Sequence, residues 1–315
     1  MIVQTIAKPK AKPFLKWAGG KTQLLPTIDS FLPDTFRSED EVTYIEPFVG
    51  GGAMLFYMLQ KYPNIKRAVI NDINPHLIKT YIVIRDEPYS LIDALNELQS
   101  TFRALENYDK QKEFYLDVRS CFNQQHLTDV EEASYMIFLN RTCFNGLYRE
   151  NSKGGFNVPF GQYSNPTICD EHLILADSEL LQKVEILNGD FSHTAEYIQG
   201  YTFFYFDPPY RPLDATSSFN SYVKESFDDN EQIRLKDFYS DLSGGGCYAM
   251  LSNSDCKCRN AEDDFFDRLY ENFFIERVYA KRSINANASK RGPLTELLIR
   301  NYENYQGEPA NLFNL

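Results

Sequence analysis

The sequence predicts an α/β protein built on a doubly wound sheet of buried parallel strands that carries a helical insert. Three observations point there. Short apolar runs of strand length each end in turn residues, helical patterns lie between them, and the alternation lapses from roughly 78 to 180. A chain of 315 residues holds one large domain or two modest ones. Its 43% hydrophobic and 24% charged residues are those of a globular chain, not a disordered one.

The first predicted strand, 42–46, ends at Pro47 and the glycines Gly50, Gly51 and Gly52. The second, 67–71, ends at Asp72, and the third, 184–188, at Gly189. The fourth, 202–206, is wholly apolar and aromatic and ends at Asp207-Pro208-Pro209. The fifth, 247–251, ends at Ser252-Asn253. Ligands of such sheets bind outside the carboxyl ends of the strands, and the unusual residues fall there. Between them, 91–105, 111–122 and 130–139 read as helices, the last followed by Asn140-Arg141. The Gly/Asn-rich segment 145–163 then reads as a hairpin or ordered loop.

Several function classes drop out. The opening MIVQTIAKPKAKPF has no apolar run, so a signal peptide is not expected, and no stretch approaches the ~18 apolar residues of a membrane span. Six cysteines are scattered, with Cys256 and Cys258 forming one Cys-x-Cys but no second pair at zinc-ligand spacing. With only four histidines, none at i, i+4, a reduced, metal-free, cytoplasmic protein is expected.

The motifs are sharper. Phe14-Leu15-Lys16-Trp17-Ala18-Gly19-Gly20-Lys21-Thr22 fails as a P-loop, because Leu15 stands where a glycine is needed. Lys21 after two glycines can still hold an anion; Trp17 is either a ligand-side aromatic or an ordinary core one. Glu46-Pro47-Phe48-Val49-Gly50-Gly51-Gly52 lacks the third glycine of a dinucleotide fingerprint, since Leu55 is there. It remains either a bare turn or a loop against which a nucleoside lies. Asp72, at the next strand end, can accept from ribose hydroxyls. In Asp207-Pro208-Pro209-Tyr210 the prolines cannot continue a ladder, and they present a carboxylate and a phenol together.

FLKWAGGK, EPFVGGGA, DPPY and NRTCFNGLYRENSKGGFNVPFG together resemble the Dam family of DNA adenine-N6 methyltransferases, in order from residue 14 to about 300. The resemblance implies a Rossmann-like, S-adenosylmethionine (SAM)-dependent methyltransferase sheet with an inserted, mainly helical DNA-recognition domain. On that basis 1–78 and 180–315 form the SAM-binding catalytic domain and 79–179 the target-recognition domain. It implies a cofactor site on Trp17, Lys21, Glu46, Phe48, Gly50, Gly52, Asp72 and Asp207, with Asp190 and Phe191 at the adenine. Asp207, Pro208, Pro209 and Tyr210 are the implied catalytic group. Lys16, Phe144, Asn145, Leu147, Arg149, Pro159, Arg282 and Asn285 are the implied DNA contacts, Arg149 reading a guanine. Phe144 stands where a tyrosine is often found, and Gln162 where a basic residue is common, which puts one phosphate contact in doubt. The implied partner is double-stranded DNA, the target GATC with the adenine flipped out, and the working form a monomer in a bacterial or phage-infected cell. An NAD-type oxidoreductase leaves DPPY and the insert unexplained; a catalytically silent DNA-binding module leaves Asp207, Lys21 and Asp72 unexplained.

The net charge of −12 argues against a generic polyanion binder, yet its distribution is uneven. Residues 1–21 carry five lysines and no acids. Residues 141–163 carry three basic residues against Glu150, and 277–291 five with no acids. Together these segments hold +12 and leave −24 elsewhere, so a basic cleft on an acidic protein is expected.

Overall fold

A computed structural model describes residues 10–17, 19–124, 126–212, 227–280 and 294–304. In chain order the elements are α1 (Leu25–Ser30), β1 (Val42–Glu46), α2 (Ala53–Lys61), β2 (Ile65–Asp72) and α3 (Pro75–Asp86). Then come α4 (Pro88–Ala104), α5 (Tyr108–Asn123), α6 (Asp129–Thr142), α7 (Glu171–Leu181), β3 (Val184–Asn188) and β4 (Tyr201–Phe206). The last are α8 (Asp229–Gly244), β5 (Tyr248–Ser254), α9 (Phe265–Leu269), β6 (Phe274–Ala280) and β7 (Leu294–Arg300).

The strands form one sheet in the order β3-β2-β1-β4-β5-β7-β6. The pairs from β3 to β5 are parallel; β7 runs antiparallel between β5 and β6. Both faces of the central strands are covered, which is why β1 and β4 are buried along nearly their whole length. Tyr44, Phe203, Tyr205, Met250 and Leu298 point into one apolar layer, shared with α2 to α7. Their neighbours Ile45, Phe204, Phe206, Leu251 and Ile299 point into the other, beneath α8 and α9. The helices begin where short polar side chains close the first turn: Asn74 on α3, Asn107 on α5, Asp170 on α7, Asp228 on α8, and a Thr128–Glu131 capping box on α6.

The predicted strands and insert helices are present, most with ends moved by up to three residues. Two shifts matter. The fifth strand does not stop at Leu251 but runs on through buried Ser252, Asn253 and Ser254, because β7 pairs with them. Helix α6 runs past Leu139 to Thr142 and so buries Asn140. The antiparallel β7-β6 pair stands outside the expected all-parallel series. The junctions expected at 78/79 and 179/180 fall inside α3 and α7, two helices that pack on each other. Segment 145–163 is an ordered hairpin, with bridges Cys143↔Phe160 and Glu150↔Phe156 around a tight turn at Asn151–Gly154. Among the described residues no helix is long and apolar enough to cross a membrane. No His/Cys/Asp/Glu group among them could hold a metal ion.

Candidate active site

Parallel pairing carries the loops after β1, β2, β3, β4 and β5 to one edge of the sheet. The glycine loop is fastened to the second strand: Val49 N donates to Asn71 O at 2.9 Å and Gly50 N to Asp72 Oδ2 at 3.1 Å. Tyr81 Oη donates to Gly50 O at 2.9 Å. Gly52 has φ +75°, and a Cβ there would lie 2.4 Å from the Tyr81 hydroxyl, so both conformation and space require glycine. Trp17 lies over the loop, its Cδ1 only 2.9 Å from where a Gly50 Cβ would be. Its other side stacks on Tyr148 of the insert at 5.4 Å.

Asp72 also accepts from Asn74 N at 3.0 Å; burial pushes its carboxyl up while the backbone donors oppose that rise. Beside it Ile73 is 65% exposed, an apolar side chain held at the rim. Asn71 is buried and donates to Pro47 O and Gly189 O, both at 3.0 Å, yet its Oδ1 has no hydrogen-bond partner among the described residues.

Glu46 is 2% exposed and accepts from Tyr44 Oη at 2.6 Å. Burial pushes its carboxyl up to about 8, against the Tyr44 hydrogen bond and with the charge of Asp207 adding. Folding therefore takes up a proton between the unfolded value of 4.5 and about 8, and stability falls as pH rises through that window. Glu46→Gln keeps an acceptor for Tyr44 and cannot ionise. It is expected to flatten the fall by up to about 1.4 kcal/mol per pH unit, read by denaturant unfolding at about pH 5 and about pH 8.

The Asp207-Pro208-Pro209-Tyr210 turn surrounds a buried cation. Lys21, 4% exposed, lies with Nζ 2.9 Å from Asp207 Oδ1 and donates to Gly19 O at 2.8 Å. The same Nζ sits 4.3 Å over the Tyr210 ring and 3.9 Å from Glu296 Oε2. Tyr210 Oη donates to Glu296 at 2.8 Å, and Ser252 Oγ donates to Asp207 Oδ1 at 3.0 Å. Pro209 O accepts from the buried Gln232 at 3.1 Å, and Gln232 accepts from Asn253 at 3.2 Å. Pro208 is buried. The turn is thus fixed from β5, β7 and α8 together.

Asp190 caps the short turn that begins at Phe191, accepting from Ser192 N at 3.0 Å. It also takes a bidentate pair from Arg234 at 3.0 and 2.7 Å, which holds its carboxyl well below the usual range. The same guanidinium lies 4.1 Å over Phe191, which packs on Phe48 at 5.3 Å.

Lys16 and the turn at 144–147, both read as DNA-facing, are joined through Asn140. Lys16 N donates to Asn140 Oδ1 at 2.9 Å, while Asn140 Nδ2 donates to Lys16 O at 2.8 Å and Gly146 O at 3.0 Å. Gly146 has φ +63°, and a Cβ there would fall 2.4 Å from Lys16 Cδ. Asn145 is left-handed at φ 57°, and Phe144 is 52% exposed with its N donating to Pro159 O at 2.9 Å. Leu147 is half-buried and Pro159 exposed. Arg149 Nε donates to Asn157 Oδ1 at 2.6 Å. Arg282 and Asn285 lie outside the described residues. Two cations counted in the basic segments are taken up by the protein's own acceptors. Arg141 is half-buried and donates to Phe14 O at 2.7 Å, and Arg277 pairs with Asp255 at 3.1 Å and Asp267 at 2.8 Å.

The sequence did not single out Glu296, Gln232, Arg234, Asn71 or Tyr148. Glu296 sits in an unremarked strand and Arg234 on an exposed helix face, and no turn or motif marks either. Ser252 and Asn253, read as the end of a strand, carried a signal, and Asn253 holds Gln232.

Comparison with known proteins gives a consistent answer. Residues 17–284 match the family described as D12 class N6 adenine-specific DNA methyltransferase. The chain is similar to the Type II methyltransferase M.MjaIII of Methanocaldococcus jannaschii, 49% identical over 296 residues that cover 93% of this chain and 100% of that one. It is 39% identical to the Type II methyltransferase M1.LlaDCHI of Lactococcus lactis, covering 94% and 98% of the two chains. It is 34% identical to a DNA adenine methylase of Vibrio cholerae, covering 78% and 82%.

Proposed function

Since the chain belongs to the D12 class of N6 adenine-specific DNA methyltransferases, we propose that it methylates N6 of an adenine flipped out of double-stranded DNA, within GATC. The observation that carries this is the Asp207-Pro208-Pro209-Tyr210 turn locked around Lys21 beside the glycine loop. The donor is S-adenosylmethionine, which supplies an electrophilic methyl on a sulfonium when bound. The residues fit it. Asp72 offers a carboxylate beside the exposed Ile73, and Asn71 Oδ1 is a buried acceptor with no partner among the described residues. Trp17, Lys21, Glu46, Phe48, Gly50, Gly52, Asp72, Asp190 and Phe191 are the residues assigned to hold it. We take the working form to be a monomer in the cytoplasm.

The chemistry then rests on this chain's own groups. The exocyclic nitrogen of adenine is a poor nucleophile because its lone pair is delocalised into the ring. With Asp207 Oδ1 engaged by Lys21 and Ser252, Oδ2 accepts one N–H of the amino group and the Pro208 carbonyl the other. That localises the lone pair and aims it. As the N6–methyl bond forms, the methyl–sulfur bond would break and the extra N6 proton pass to water, with orientation and electrostatics supplying the rate. Tyr210 stacks on the extruded base.

The deciding experiment is expression in cells lacking adenine methylation, followed by mapping of N6-methyladenine in their DNA. Methylation at GATC is expected; soluble protein without any modified adenine overturns the function, and methylation of another sequence overturns the target alone. Arg149, held by Asn157, should account for discrimination at the guanine. Arg149→Ala is expected to cost about 10- to 100-fold in the kcat/KM ratio between GATC and a duplex altered at that guanine, with Arg149→Lys failing to rescue. A loss equal on both duplexes would make Arg149 a phosphate contact.

A further inference from the structure

We propose that Glu296 is a positioning residue for the target base, setting the angle of the Tyr210 ring and sharing Lys21 with Asp207. The inference rests on the reading of Tyr210 as the stacking surface. A phenol ring on a stiff Pro-Pro exit can still turn about its own bonds, and two contacts remove that freedom. Oη donates to Glu296 Oε2 at 2.8 Å, and the Lys21 ammonium lies 4.3 Å from the ring centroid. One face of the ring is therefore covered by a cation, so a base stacks on the opposite face.

The acid's own support is firm. Glu296 lies on β7, paired with Ser254 of β5 on one side and Val278 of β6 on the other. Because β7 runs antiparallel to β5, its beginning reaches the edge where the parallel strands end. The antiparallel pair thus brings a carboxylate to the catalytic turn that the parallel strands do not supply. Its charge has a second use. Lys21 stands 2.9 Å from Asp207 and 3.9 Å from Glu296, so a single cation serves two carboxylates. Without Glu296, Lys21 bears on Asp207 alone and withdraws more of the charge that the amino group needs.

The test uses the full chain and a duplex carrying 2-aminopurine at the target position, whose fluorescence rises when the base leaves the stack. Glu296→Ala is expected to lower kcat/KM for DNA about tenfold and to weaken the fluorescence, with KM for S-adenosylmethionine within about twofold of wild type. Glu296→Gln retains an acceptor for the phenol and should recover most of the fluorescence but less of kcat. Tyr210→Phe deletes the same hydrogen bond without touching position 296. It should match Glu296→Ala in fluorescence but lose less of kcat, since Lys21 is still shared, and the double variant should be no worse than Glu296→Ala alone. Should Glu296→Ala fail to fold, Tyr210→Phe carries the test by itself. Wild-type fluorescence and kcat/KM in Tyr210→Phe, or additive losses in the double variant, overturn the role of Glu296. Tyr210→Ala separates the two levels: unchanged fluorescence there overturns the stacking reading and this inference with it, whereas a loss confined to Tyr210→Ala overturns this inference alone.

Discussion

Asp207→Ala is expected to lower methyl transfer by at least about 1,000-fold while leaving a folded protein. The substitution deletes the acceptor proposed for the adenine amino group, and with it the negative charge that offsets the positive charge developing on N6. The fold should survive because β4 is held by β1 on one side and β5 on the other, and the Asp207 side chain is still 24% exposed. Labelled-methyl incorporation into DNA reads the first effect and circular-dichroism melting the second. Near-wild-type incorporation by a folded variant would remove Asp207 from the reaction. Asp207→Asn sharpens the result. It keeps size and one acceptor but leaves Lys21 facing a neutral group, so activity lost there as well belongs to the charge.

Lys21→Met should have the next largest effect, on stability and cofactor affinity together. Removing this buried ammonium leaves Asp207 and Glu296 near each other without the cation between them. Breaking a buried pair from one side costs about 3–5 kcal/mol; the lower end applies because both carboxylates keep about a fifth to a quarter of their surface in water. Denaturant unfolding reads that loss, and direct binding of labelled S-adenosylmethionine should fall at least about 100-fold with it. Adding Asp207→Asn to Lys21→Met should restore much of the stability, since it removes one unpaired carboxylate, while restoring no activity. A Lys21→Met protein as stable as wild type would mean that the cation is balanced elsewhere.

Much of this site is legible in the chain itself. The strands β1 to β4 read within about two residues of their ends: β1 and β4 because they are buried along nearly their whole length, β2 and the edge strand β3 because turn residues stop their apolar runs. The carboxyl-end positions of the glycine loop, Asp72 and the Asp207-Pro208-Pro209-Tyr210 turn follow, since each sits where an apolar run stops. Ser252, Asn253 and Ser254 misled the reading of β5. They are polar yet continue the strand, and their hydrogen bonds to Asp207, Gln232 and Arg211 are what makes burying them tolerable.

The sequence by itself therefore determined the parallel core, the insert's helices and the residue types of the catalytic turn, because local periodicity and turn chemistry act over a few neighbouring positions. Only the tertiary structure decided what those residues face. It brought Lys21 to Asp207, Asn140 to Lys16 and Gly146, Arg234 to Asp190, and Glu296 to Tyr210. It also tied Arg141 to the Phe14 carbonyl and paired Arg277 with Asp255 and Asp267, so the charge of Arg277 is offset by the protein's own acids. Apart from Asn140 with Gly146, six residues on, most of these pairings join segments distant along the chain, and what fixes them is strand order and helix packing. Neither leaves a mark on the local pattern of side chains.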